Sequence, residues 1–101
     1  MDAVRIVWTK IAIKQRDQIF NYWNERNKSV SYSSKLNIII VERLHLLKQF
    51  PEMGKLVDHK NTRVIFFDSY SIFYTITNVK IIITAFWDNR QDPNKIRTIL
   101  K

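Results

Sequence analysis

Two arginines bracket the β-rich half of the chain: Arg63 opens the run "TRVIFF", and Arg90 stands just beyond the run "VKIIITAFW", in "FWDNRQDP". A guanidinium can hold a phosphate by two hydrogen bonds at once and can stabilise charge developing on it, so Arg63 and Arg90 are the catalytic candidates of a phosphate-directed site. Lys55, Lys60, Lys95 and Arg97, in the adjoining loop and tail, are candidates for binding nucleic acid or another target. Trp87 joins them if its ring stacks on a base rather than packing against the tail. Each arginine also has a plainer reading. Arg63 can pair with Asp58 or Asp68 at a sheet edge, and Arg90 can bridge Asp88 or Asp92 and fix the tail.

Other chemistries lack their residues. The chain has no cysteine, and its two histidines, His45 and His59, have no neighbouring ligand at metal-binding spacing, so no metal and no cofactor is expected. There is no Gly-rich phosphate loop and no recognisable support for a serine nucleophile. Asp88 and Asp92 flank Arg90 as a pair of carboxylates, but helix capping by Asp92 and ion pairing by Asp88 account for them without acid–base work.

The elements that must position these groups can be read from the pattern. "AVRIVW" reads as a strand, with Thr9 capping a helix that begins at Lys10 and carries Ala12, Ile19 and Trp23 on one face, Phe20 beside them. In "SYSSKLNIIIVERLHLLKQF" the residues Leu36, Ile40, Leu44 and Leu47 keep helical spacing as far as Pro51, which predicts a second helix and so a helical hairpin. After the loop "PEMGKLVDHKN", the runs "TRVIFF", "YSIFYTI" and "VKIIITAFW" are separated by turns at Asp68-Ser69 and Thr77-Asn78, which predicts an antiparallel meander. Asp92 and Pro93 can then start a short C-terminal helix bearing Ile96, Ile99 and Leu100. Helices segregated from a mostly antiparallel sheet make this an α+β fold.

At 101 residues, 46% hydrophobic, the chain can bury one modest core, and a single domain spanning residues 1–101 is expected. No apolar run approaches the roughly 18 residues of a membrane span, and "MDAVRIVWTK" does not read as a signal peptide, so a cytoplasmic protein is expected. The net charge of +8 favours polyanions or an acidic partner.

The element order, the spacing of "TRVIFFDSYSIFYTITNVKIIITAFWDNRQDP" and the basic character together resemble the RelE/ParE superfamily of bacterial toxins from type II toxin–antitoxin modules. The resemblance covers nearly the whole chain. Its most specific parts are Arg63 opening the meander, the aromatic strand "YSIFYTI", and "WDNRQDP", where Arg90 and Asp92 match the family's closing Arg and Asp. It implies a four-stranded antiparallel sheet packed on a helical hairpin, and a small antitoxin, acidic or amphipathic, that neutralises the toxin by lying across the hairpin or adding along the sheet edge.

The resemblance also implies one of two actions: cutting mRNA on the ribosome, as RelE-like members do, or poisoning DNA gyrase, as ParE-like members do. Nuclease members commonly carry an Arg directly after the Tyr of the aromatic strand, where this chain has Ser71, and a Tyr or His near the C-terminus, where the comparable stretch offers Trp87, Asp88 and Ile96. Without a positioned acid or base, cleavage would forgo about 10²–10⁴-fold of rate. The expectation is therefore a toxin that binds a macromolecular target such as gyrase. A ribosome-dependent mRNA endonuclease and a non-toxic basic binding module stand as alternatives.

Overall fold

The computed structural model of the protein describes residues 4–91. Strand β1 (Arg5–Trp8) leads into helix α1 (Lys10–Asn27) and helix α2 (Ser31–Gln49), followed by a 3₁₀ turn (Pro51–Met53) and four strands, β2 (Lys55–Leu56), β3 (Arg63–Phe67), β4 (Tyr70–Ile76) and β5 (Lys80–Asp88). The strands form one sheet in the order β1-β5-β4-β3-β2. The fold is α+β, with the helical hairpin and the meander where the sequence pattern places them.

Two features differ from the expected sheet. It has five strands rather than four, because Lys55–Leu56 in the presumed loop adds to β3, with Leu56 opposite Arg63. A two-residue strand is too short to leave a periodic signal. The sheet is also mixed rather than wholly antiparallel: β1 runs parallel to β5, Ile6 opposite Ile81 and Trp8 opposite Ile83, with the helical hairpin and strands β2, β3 and β4 lying between them in the chain.

Local chemistry fixes the helix ends. Thr9 has extended backbone angles and its Oγ1 accepts from the Ala12 N–H at 3.1 Å, a side-chain N-cap. Helix α1 stops at Lys28, which adopts the left-handed conformation (φ 51°) and donates its N–H to the Asn24 carbonyl. The hairpin is tied across its turn by the Ser33 hydroxyl, 2.6 Å from Asn24 Oδ1. Helix α2 ends before Pro51, whose ring and missing N–H do not continue it.

The core lies between the hairpin and one face of the sheet. Ala12 and Ile19 of α1 and Leu36, Ile40, Leu44 and Leu47 of α2 are buried against Ile65, Phe67, Tyr70, Ile72, Tyr74, Ile81, Ile83 and Phe86. The alternation along β5 is broken once. Tyr74 is opposite Ile83 but Phe73 is opposite Ala85, so Thr84 is the extra residue of a β-bulge. Beyond it Phe86 and Asp88 take the helix-facing positions opposite Ile72 and Tyr70, while Ala85 and Trp87 fall on the other face. The Phe86 N–H at the bulge is satisfied from α1, where Gln15 Oε1 accepts it at 2.8 Å.

Candidate functional site

The bulge aims the end of β5 at the C-terminal half of α1. Asp88 follows Phe86 on the helix-facing side, opposite Tyr70, the first residue of β4. The chain then turns: the Asn89 N–H donates to the Ser69 carbonyl (2.6 Å), the Gln91 N–H donates to the Asp88 carbonyl (3.0 Å), and the Ser71 hydroxyl donates to Asn89 Oδ1 (2.6 Å). Arg90 is thereby folded back over Asp88. Its Nε donates to Asp88 Oδ1 (2.9 Å), its Nη2 to Asp88 Oδ2 (2.8 Å), and its backbone N–H to Oδ1 (3.0 Å). Nη2 also reaches the Tyr70 hydroxyl at 3.3 Å. The guanidinium carbon lies 5.3 Å from the centre of the Trp23 ring and 5.7 Å from that of Tyr70, within cation–π range of both.

An aromatic cluster surrounds this pair. Tyr70 is fully buried, stacks on Phe86 at 5.6 Å, and shares a 3.0 Å hydrogen bond between hydroxyls with Tyr32 of α2. Trp23 lies 5.0 Å from the rings of both Tyr22 and Tyr32. Arg26, one turn beyond Tyr22, donates to the Tyr22 hydroxyl at 3.4 Å and approaches the Trp23 ring at 5.9 Å. Tyr22, Trp23, Arg26, Asp88, Arg90 and Gln91 line a cavity of about 410 Å³.

The protonation states follow from these contacts. Burial pushes the Asp88 carboxyl up, but the two guanidinium hydrogen bonds, the Arg90 N–H and the Arg90 charge outweigh it and hold the acid below the usual carboxylate range. The Asp88 hydrogen bond raises the Arg90 guanidinium. Burial, with the Tyr32 hydroxyl, pushes the Tyr70 phenol well above the ordinary tyrosine value. At neutral pH the cluster therefore holds an ion pair and an un-ionised phenol.

Arg63 is elsewhere. It is opposite Tyr74, whereas Asp88 is opposite Tyr70, and the four residue steps from Tyr70 to Tyr74 along β4 span about 13 Å of strand. The two arginines therefore sit at opposite ends of the sheet and do not converge on one concave surface. Convergence was open in the sequence because it depends on strand register, and register separates them. Arg63 pairs with neither Asp58 nor Asp68. Its Nη1 donates to the carbonyls of Gly54 (2.7 Å) and Glu52 (3.2 Å), holding the turn that precedes β2. Tyr74 beside it grips the same turn, donating to the Pro51 carbonyl (2.7 Å) and accepting from the Gly54 N–H (2.8 Å). The one glycine of the chain is needed here for space, since a Cβ on Gly54 would run into the Tyr74 ring.

The other candidates distribute accordingly. Lys55 in β2 and Lys60 in the loop between β2 and β3 are exposed at the Arg63 end. Trp87 is 8% exposed and sits opposite Ser71 on the face of the sheet away from the helices. Lys95, Arg97, Asp92 and the expected tail helix lie outside the described residues. Among the described residues no group of three or more His, Cys, Asp or Glu side chains is placed to hold a metal ion, and no helix is long and apolar enough to cross a membrane.

Sequence reasoning missed Trp23 and Tyr70, which meet Arg90, and Tyr22, Arg26 and Tyr32, which surround them. Tyr22 and Arg26 at helical spacing were a local signal, but Tyr32 and Tyr70 join them only through the hairpin and the bulge.

The comparisons with known proteins agree with this architecture. A family model for the ParE toxin of the type II toxin–antitoxin system, parDE, matches residues 6–93. Among solved structures, a chain from the chromosomal ParDE system of P. aeruginosa superposes with a TM-score of 0.69 at 18% identity, over 83% of this chain and 94% of that one, a likeness of fold. No curated protein sequence matches. With its sheet, hairpin and nearly the whole described chain falling within the family model, this protein belongs to the ParE toxin family of type II toxin–antitoxin systems.

Proposed function

We propose that this toxin acts by gripping a macromolecular target, DNA gyrase being the favoured one, and not by cutting RNA. The observation that carries this reading is the separation of the two candidate arginines: Arg90 is bonded to Asp88 and Tyr70, and Arg63 to two backbone carbonyls at the far end of the sheet, so the two do not gather around one phosphate. Phosphodiester cleavage asks for cations and a proton-transfer group around one phosphate. Ser71, at the position where nuclease relatives carry an arginine, is buried and bonded to Asn89.

A toxin of this family has a cognate antitoxin as partner. The seat that its chemistry favours is the outer side of α2 beside the open edge of β1. Ile38 and Val41 are exposed there, and a cavity of about 260 Å³ is lined by Ile6, Trp8, Val41, Leu44, His45 and Lys48. An amphipathic segment with acidic flanks would cover the apolar stripe and meet the basic surface.

The test is a pair of assays on the purified chain. Inhibited supercoiling or trapped DNA cleavage by gyrase, with intact mRNA in a purified translation system, is the expected result. Codon-positioned mRNA cuts that vanish in Arg90→Ala would establish the nuclease instead.

A further inference from the structure

The end of α1 presents an aromatic ring and a cation that neither the core nor the ion pairs use. Tyr22 is 55% exposed, and its hydroxyl accepts from Arg26 Nη1. It and Arg26 line two adjoining cavities, the one of about 410 Å³ that reaches Arg90 and another of about 530 Å³ lined with Asn21 and Glu25. Among the described residues the ion pairs are Arg16–Asp17 and Arg90–Asp88, so Arg26 has no carboxylate partner there. Arg90 is half exposed, and its Nη1 makes no hydrogen bond among the described residues. Trp23 Nε1, beside the cavity, is a buried donor likewise without a partner among them.

We infer that this end of α1 is a binding site for single-stranded nucleic acid, in which a base stacks on Tyr22 and the adjoining phosphate meets Arg26 and the open edge of the Arg90 guanidinium. The chemistry is that of a stacking platform with a cationic rim: an aromatic face accepts any base, and guanidinium groups neutralise the backbone. The two carboxylates nearby fit the same assignment. Asp88 is neutralised by Arg90 and does not repel a phosphate, whereas Glu25 borders only the second cavity and reserves that side for an uncharged base. An acidic peptide would use the cations but not the exposed ring. The site is independent of which target the toxin poisons, and its failure would leave that reading standing.

Fluorescence polarisation of the full-length protein with a labelled short oligothymidylate, an abasic oligonucleotide of the same length and polyglutamate as probes tests the assignment. Tyr22→Ala should weaken oligothymidylate binding about tenfold, and Tyr22→Phe should restore it because the ring is retained. Arg26→Ala should weaken both oligonucleotides and reduce the slope of log K against log salt by about 0.7, one cation's share on a single strand. Unchanged melting temperatures would certify that the exposed substitutions leave the fold intact. Equal binding of the abasic and the base-bearing strand, tighter binding of polyglutamate than of either, or indifference to Tyr22→Ala would each overturn the inference.

Discussion

Arg90 lies over Asp88 with both carboxylate oxygens engaged, at 2.9 and 2.8 Å, and this pair closes the end of the sheet. The hydrogen bonds that hold the Asp88 acid below the usual carboxylate range also make it a source of stability. Because the folded-state value is depressed, the contribution is complete above the unfolded value near 4 and is lost as pH falls through the lower folded one. With Arg90 half exposed, solvent screening limits it to about 1 kcal/mol. Urea titrations between pH 7 and pH 2 should show this loss in the wild type and a flatter acid limb in Asp88→Asn. Parallel acid limbs would mean that the pair contributes nothing.

The alkaline side has its own limit. The Tyr70 and Tyr74 phenols are both raised, in each case chiefly by burial. A raised folded value gives stability that is complete below the unfolded value near 10 and is lost as pH rises through the folded one. The protein should therefore lose stability above about pH 10. Phenolate absorbance followed against pH should show these two residues ionising only with unfolding, and Tyr70→Phe should delay the loss. Full ionisation of every tyrosine in a chain that keeps its circular dichroism would contradict this.

How much of this was legible in the sequence depends on the range of the interaction. Thr9 as a cap, the apolar stripe of α2 and the aromatic strand from Tyr70 to Ile76 announce themselves through spacing within a few residues, and the structure has them at those places. The strand Lys55–Leu56 does not, since two residues carry no period and their pairing is supplied by Arg63 and Val64 on β3. The Arg90 cluster is half visible: the sequence offers Asp88 or Asp92 as its partner, but Tyr70, Trp23 and Tyr32 come from three other elements. What brings them there is the bulge at Thr84, and "KIIITAFWD" is equally consistent with unbroken alternation, which would have put Trp87 toward the helices in place of Phe86.

The bulge in turn depends on Gln15. Its Oε1 is the acceptor for the Phe86 N–H, and Phe86 is fully buried. Gln15→Ala removes that acceptor and should cost about 1–3 kcal/mol, the penalty for a buried donor left unpaired. Gln15→Glu keeps an oxygen at the same reach and should cost less. Denaturant midpoints measure both, and an alanine variant as stable as wild type would show that the bulge holds without the side chain.

The separation of Arg63 and Arg90 makes a prediction of its own. If each arginine stabilises a different end of the sheet, their effects must add. Arg63→Ala removes two hydrogen bonds that hold the Glu52 and Gly54 carbonyls, and should lower stability by about 1–3 kcal/mol, as hydrogen bonds from a charged donor do. Arg90→Ala leaves the mostly buried Asp88 carboxylate without its partner and should cost about 1 kcal/mol, discounted for the exposure of the guanidinium. Groups this far apart with no shared partner are additive to within about 0.5 kcal/mol. A double-mutant cycle in urea should therefore close with no larger coupling. Two arginines converging on one anion-binding surface would repel each other, so removing one would relieve the other and leave a coupling outside that limit. A coupling of that kind would refute the register that places them at opposite ends, and with it the argument that the two cannot hold one scissile phosphate together.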